Sequence, residues 1–375
     1  MLALVSRTIL TVVSLVVCAG AAVAAQKCVD PKHALGVSRV VEIDTTTGPA
    51  FGSQHTPHVE FLADKEVVLT FDDGPLRPYT RPVLDALEAE CTRATFFLVG
   101  RMALSDPAMV REVARRGHTV GSHTWSHQNM RKITPLKARH EIELGFSAVR
   151  LALGAQPAPF FRFPYLADTR SMNGIMQSRH MGVFSIDVDS NDYRTKDPAL
   201  VHQNILSELA ERRKGIILFH DIQTSTAQAL PALLAILKAK GYRVVHMVPK
   251  HRATTLPEFD AIAKEEAGQR QVASLAKPLA DRSLTWTMNT RVAAAGSAGG
   301  DAYTTQPTAR RPSSAAPSPP PVAPFARAPS PPPSPTQQQP GLVATPAPLT
   351  PQERAVLRAQ IAAQNEWRTR VFGGN

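Results

Sequence analysis

The sequence predicts a parallel α/β sheet or barrel, and three observations predict it. Between about Val67 and Val248, short apolar runs alternate with amphipathic stretches. Two of the stretches open with Asp-Pro, at Asp106-Pro107 and Asp197-Pro198, the signature of an N-cap followed by proline at the first helical position. The acidic and imidazole clusters fall at the ends of the apolar runs, where parallel α/β folds gather their functional groups.

Taken in order, Val67 to Phe71 reads as a buried strand, Pro82 to Glu90 as a helix and Ala94 to Val99 as a second strand. A helix from Asp106-Pro107 stops at Gly117, and a short strand follows from His118 to Gly121. Ala138, Ile142, Gly145, Val149 and Ala152 step by four and three, which is one helical face. Phe160–Phe163, Val183–Ile186 and Gly215–Phe219 are further strands. Leu230–Leu237 is helical, Gly241 stops it, and Tyr242–Met247 is the last strand. Such repeated alternation covers a parallel sheet with helices.

Composition divides the rest. We expect a signal peptide over 1–25, an N-terminal extension over 26–64 and a catalytic domain over 65–250. A polar, partly helical segment should follow over 251–292, then a Pro/Ala/Ser-rich disordered linker over 293–349 and a short helix over 350–375. Arg7, an apolar stretch from Thr8 to Val17 and small residues up to Ala25 have the layout of a cleaved export signal. That apolar stretch is short for a membrane span, which needs about 20 residues. Cys18 follows Val17, and a lipoprotein signal would want a small residue there. Half of the 32 prolines lie between Pro307 and Pro351, a composition that cannot bury enough apolar surface to fold alone. Thr350-Pro351-Gln352-Glu353 has capping-box spacing.

Removal of the leader leaves Cys28 and Cys91, and export permits one pairing between them. The alternative is a buried free Cys91. The net charge of +11 favours anionic partners. No basic helix interleaved with aromatics accompanies it, so nucleic acid is set aside as a partner. Membrane contact is expected only through the signal peptide, and the chain is expected to be a monomer.

Five clusters carry chemistry. Asp72 and Asp73 close the first strand, followed by Gly74-Pro75. Adjacent side chains point differently, so one carboxylate can bind a metal while the other serves as a base; the plainer alternative is a solvated Asp-Gly-Pro turn. His123 and His127, four apart, can share one metal from one face of a helical turn. With one Asp they leave coordination positions open, as a catalytic zinc requires, whereas structural zinc sites close with four protein ligands. Arg162 ends the Phe160 strand and can orient Asp72 through its charge. Asp187, Asp189 and Asp192 follow the Val183 strand, with Asp187 read as a turn-former. His220, followed by Asp221, ends the Gly215 strand and can act as a general acid beside a carboxylate.

As a set these residues resemble the five motifs of the NodB-homology polysaccharide deacetylases, carbohydrate esterase family 4, over about Val67 to Val248. Thr70-Phe71-Asp72-Asp73-Gly74-Pro75 is similar to the first motif, His123 to His127 to the second, Arg162-Phe163-Pro164-Tyr165 to the third and Leu218-Phe219-His220 to the fifth. The fourth usually ends Asp-Trp and here ends Asp192-Tyr193, which puts the substrate's shape in question more than the catalysis.

The resemblance implies a distorted, incomplete (β/α) barrel with its site at the strand C-terminal ends. It implies that Asp73, His123 and His127 bind a divalent metal, usually zinc, with cobalt or a similar ion as the alternative. By the same resemblance Asp72 is the general base, His220 the general acid, Arg162 holds Asp72 and Asp192 tunes His220. The Tyr165 N–H would help form an oxyanion hole, and Leu218 and Tyr193 would line an acetyl pocket. The implied reaction is removal of N-acetyl groups from an N-acetylglucosamine-containing polysaccharide, and the export signal places the hydrolase in the periplasm or makes it secreted or cell-wall associated. Two rivals are an O-acetyl esterase using the same site and a non-catalytic glycan-binding relative. Decay to the latter would strike the base or the acid first, and Asp72 and His220 are both present.

Overall fold

A computed structural model describes residues 30–54, 58–276, 350–353 and 355. The expected leader, Cys28, the proline-rich linker and nearly all of the terminal helix lie outside the described residues. The strands are β1 (Arg39–Ile43), β2 (Ala50–Phe51), β3 (Glu66–Asp72), β4 (Thr95–Leu98) and β5 (Thr119–Ser122). They continue as β6 (Phe160–Phe161), β7 (Gly182–Phe184), β8 (Val188–Asp189), β9 (Gly215–His220) and β10 (Arg243–Pro249). The helices are α1 (Arg77–Ala89), α2 (Gly100–Ser105), α3 (Pro107–Arg115), α4 (Pro135–Leu153), α5 (Arg170–Ser178), α6 (Pro198–Arg212), α7 (Thr224–Ala239) and α8 (Pro257–Ala276). No described helix is long and apolar enough to cross a membrane.

The sheet order is β1-β10-β3-β4-β5-β6-β7-β2, with β9 also paired to β3 and β8 paired to β9. Every pairing is parallel. Among the described residues nothing pairs β7 with β8, so the barrel stays open there. This is the distorted, incomplete (β/α) barrel that the family resemblance implies. β1 and β2 arise before residue 65 and add edge strands beside β10 and β7.

Period-two alternation sorts the β3 side chains onto two faces. Val67, Leu69 and Phe71 join the larger core with Leu84, Leu87, Leu230 and Leu234 from the helices. Val68 joins a separate cluster with Phe97, Phe160, Phe184, Ile216 and Val245, which fills the barrel interior. Thr70 and Asp72 share the interior face with Val68, so the strand delivers a carboxylate to the top of the barrel. β9 alternates in the same way: Ile217 and Phe219 face the helices, and Ile216, Leu218 and His220 face inward.

The caps form where the sequence places them. The Asp106 side chain accepts from the Met109 N–H and that of Asp197 from the Ala199 N–H. The Thr350 hydroxyl accepts from the Glu353 N–H while the Glu353 carboxylate accepts from the Thr350 N–H, the reciprocal bonds of a capping box. Cys91 is disulfide-bonded, which removes the free-thiol alternative.

Candidate active site

Asp72 ends β3 and is buried. Arg162, fully buried just past β6, donates from Nη1 to Asp72 Oδ1 at 2.8 Å and to Thr70 Oγ1 at 2.8 Å. Its other nitrogens donate to the carbonyls of Phe184 and Ser185, and its guanidinium lies over the Phe97 ring at 4.4 Å. A buried charge is tolerable only when paired and hydrogen-bonded, and each side of this guanidinium has a partner. Burial pushes the Asp72 carboxyl up to about 6, against the opposing pull of Arg162 and His220.

The chain turns sharply after Asp72. Asp73 is left-handed at φ 75°, and the Gly74–Pro75 peptide is cis. His123 follows β5, and its Nδ1–H donates to the Arg162 carbonyl at 2.7 Å, which leaves Nε2 as the free acceptor. The His123 and His127 pair does not sit on a helical turn. The intervening chain is a loop in which Thr124 and His127 are left-handed at φ 69° and 57°. Helix α4 braces that loop from behind. The Glu141 carbonyl accepts from the Trp125 N–H at 2.8 Å, and its carboxylate accepts from the N–H and hydroxyl of Ser126. Gly145 lies so close to Thr124 that a Cβ there would collide with the loop backbone.

One ligand atom each from Asp73, His123 and His127 lies within 4.8 Å of the others. Asp73 Oδ1 is 3.1 Å from His127 Nε2 and 3.5 Å from His123 Nε2. Ligand bonds of about 2.0–2.2 Å in tetrahedral geometry separate ligand atoms by roughly 3.4 Å, so the cluster has the right spacing for a small divalent ion. Asp73 Oδ1 is buried with no hydrogen-bond donor, an arrangement that costs free energy unless a cation satisfies it. The donor set, two imidazoles and a carboxylate, suits such an ion.

On the neighbouring strand stands His220, paired in register with Asp72. Its Nδ1–H donates to Asp192 Oδ1 at 2.7 Å, and its backbone N–H donates to Asp192 Oδ2 at 2.7 Å. The Thr226 hydroxyl also donates to that carboxylate, and Ser225 donates to the Asp192 carbonyl. Burial alone would lower the imidazole's pKa, but Asp192, with smaller help from Asp73 and Asp72, holds it up at about 10.

The rim is aromatic. Tyr165, left-handed at φ 58° and largely exposed, places its ring 4.9 Å from that of His127. Tyr193 meets the His220 ring edge-on at 5.5 Å and donates its hydroxyl to Asp189 at 3.4 Å. Leu218, the register partner of Asp189 in the β8–β9 pairing, is buried. The structure thus brings all ten sequence-derived candidates to one end of the barrel. Asp187 instead accepts from the N–H groups of Ser53 and Ile216 at the other end of β9, a structural role. Glu141 and Asp221 escaped the sequence reading: one lies within a helix, and the other follows His220 with no spacing signal of its own.

Comparison with known proteins gives the same family. The polysaccharide deacetylase profile matches residues 62–183. A chitin deacetylase of Colletotrichum lindemuthianum is 31% identical over 202 residues, covering 51% of this chain and 81% of that protein. A peptidoglycan-N-acetylglucosamine deacetylase of Listeria monocytogenes is 31% identical over 182 residues, covering 48% of this chain; the chain spans only 38% of that relative's length. Among solved structures, a Bdellovibrio bacteriovorus peptidoglycan deacetylase superposes with a TM-score of 0.53 at 31% identity, covering 60% of this chain and 63% of that one. With a parallel barrel of this topology and 31% identity across four-fifths of the Colletotrichum protein, the chain belongs to the polysaccharide deacetylase family, the NodB-homology proteins of carbohydrate esterase family 4.

Proposed function

We propose that the chain is a metal-dependent hydrolase that removes N-acetyl groups from an N-acetylglucosamine-containing polysaccharide. The observation that carries this reading is the placement of two differently tuned groups beside one cluster. Arg162-held Asp72 and Asp192-held His220 end neighbouring strands beside Asp73, His123 and His127. Acid–base catalysis of amide hydrolysis needs a group that accepts a proton and one that donates it at the same pH. A carboxyl pushed to about 6 and an imidazole held at about 10 meet that need together at neutrality.

Asp73, His123 and His127 would hold the ion, for which zinc is the proposed identity. When bound, such an ion would supply Lewis acidity toward the acetyl carbonyl and a lowered pKa for water. Asp72 takes a proton from the attacking water as the new carbon–oxygen bond forms. Arg162 keeps that carboxylate aimed inward through the transfer. The Tyr165 N–H donates to the carbonyl oxygen as negative charge builds there. His220 then gives its proton to the departing nitrogen as the carbon–nitrogen bond breaks, releasing acetate and leaving an amine on the sugar. Leu218 and Tyr193 enclose the acetyl methyl, with tyrosine in the position where the family usually has tryptophan.

Peptidoglycan, chitin oligomers and exopolysaccharide all offer the required sugar. The leader expected at residues 1–25 supports action outside the cytoplasm on such a polymer. Acetate release from purified peptidoglycan, chitin oligomers and acetylated xylan tests the reading. Turnover of an N-acetylated polymer is expected. Release from acetylated xylan alone would make the chain an O-acetyl esterase, and release from none would return it to glycan binding.

A further inference from the structure

Asp221 is fully buried, follows His220 and takes no part in the chemistry above. The ladder between β3 and β9 ends at the pair Asp72 and His220. Beyond it the Asp221 N–H still reaches the Asp72 carbonyl at 3.3 Å, after which the two chains part. The Asp221 side chain bridges the gap that opens. Oδ1 accepts from the Gly74 N–H at 3.1 Å, and Oδ2 accepts from the Thr80 hydroxyl at 2.6 Å. The Thr80 oxygen in turn accepts from the Leu76 N–H at 2.8 Å. One carboxylate therefore fastens the turn after Asp73 and the first turn of α1 to the end of β9.

The contact is close enough to dictate sequence. A Cβ on Gly74 would overlap the Asp221 carboxyl, so the turn can rest there only as glycine. Asp73 immediately precedes this anchored N–H and is held left-handed. Its Oδ1 depends on that backbone to lie 3.1 Å from His127 and 3.5 Å from His123. On the far side, Asp221 is bonded through the main chain to the residue that carries the imidazole.

We propose that Asp221 is a positioning residue that fixes Asp73 relative to His220 across the site, a role that rests on the function proposed above. Misplacing a ligand or a proton donor by a fraction of an ångström lowers affinity and rate without removing either group.

The test uses the full-length chain. Zinc affinity is measured by competition with a chromophoric chelator, and kcat and KM on a chitin oligomer. The variants are Asp221→Ala, Asp221→Asn and Thr80→Val. Tyr242→Phe serves as control, because it loses a buried hydroxyl bond to the Leu209 carbonyl at the opposite end of the barrel. Supporting alterations near metal ligands typically cost about 10- to 100-fold in affinity or activity. Asp221→Ala is expected to lose zinc affinity and kcat on that scale with KM little changed. Asp221→Asn, which keeps an acceptor for Gly74, should recover most of both, and Thr80→Val should show a smaller loss of the same sign. The control should lower the melting temperature yet bind zinc normally. Wild-type zinc affinity and kcat in Asp221→Ala would overturn the proposal. If that variant does not fold, wild-type values in Thr80→Val would overturn it equally. A wild type inactive on peptidoglycan as well as on chitin oligomers would refute the deacetylase reading, while the zinc affinities would still decide the role of Asp221.

Discussion

His220 and Asp192 are joined twice: the imidazole Nδ1–H and the backbone N–H of one reach the two carboxylate oxygens of the other, each at 2.7 Å. The double attachment fixes the ring's tilt as well as its charge. Burial lowers the pKa of such a ring, and here the carboxylate overcomes it, leaving the group protonated up to about 10.

Replacing Asp192 by Asn leaves burial unopposed by its main counter-charge. The alkaline limb of kcat/KM for acetate release should move toward neutrality, with a loss of roughly 10²- to 10⁴-fold near the original optimum. A limb that stays in place would separate Asp192 from the proton donor. The sign for stability follows from the same shift. A folded-state pKa raised from 6.5 to about 10 contributes stability that is full below 6.5 and fades as pH rises through 10. Asp192→Asn should therefore lower the melting temperature more in mildly acidic buffer than in strongly alkaline buffer.

Asp72→Asn keeps the shape and removes the proposed proton acceptor. Metal content should stay at the wild-type level while turnover falls by roughly 10²- to 10⁴-fold. Metal analysis beside acetate release checks both halves, and near-normal turnover would remove Asp72 from its role.

Arg162→Met strands a buried carboxylate at Asp72. Breaking one side of a buried ion pair costs about 3–5 kcal/mol, read from urea unfolding. Adding Asp72→Asn to Arg162→Met should restore part of that loss, because the stranded charge goes with it. Additive losses in the double variant would mean that the two side chains are not energetically coupled.

Phe71 stacks between Phe96 and Phe219, with centroid distances of 5.0 and 5.1 Å. Phe71→Ala should destabilise the barrel by about 3–5 kcal/mol. A loss below about 1 kcal/mol, small for emptying a packed aromatic site, would mean that the three rings are not packed as described.

The buried parallel strands were legible because little that is polar interrupts them: β3, β4 and β9 read as apolar runs, and β3 and β9 end in the groups they deliver. The Asp-Pro caps fixed the starts of α3 and α6 for the same local reason. β1 and β2 were not legible, since β1 is mostly exposed at an edge and β2 is two residues long. The start of α7 was read six residues late, because its first turn carries Thr224, Ser225 and Thr226 in place of apolar residues. The spacing of His123 and His127 marks two side chains that can converge, but it does not distinguish a helical turn from a loop with two left-handed residues. Asp221 reaches Gly74 across 147 positions, a contact made by strand pairing with no local pattern to betray it. Glu141 is similar: its carboxylate and carbonyl act on a loop 15 or 16 residues away that only the packing of α4 brings near.

Asp73, His123 and His127 are the proposed holders of the ion on which amide hydrolysis depends. The most direct test of that assignment is acetate release from a chitin oligomer by chelator-stripped protein, measured before and after stoichiometric zinc is added. The His127→Ala variant is carried through the same steps. The stripped enzyme should be silent, wild-type protein should recover with zinc, and the variant should not recover at the same zinc concentration. Undiminished turnover by the stripped wild type, or full recovery by the variant, would contradict that assignment.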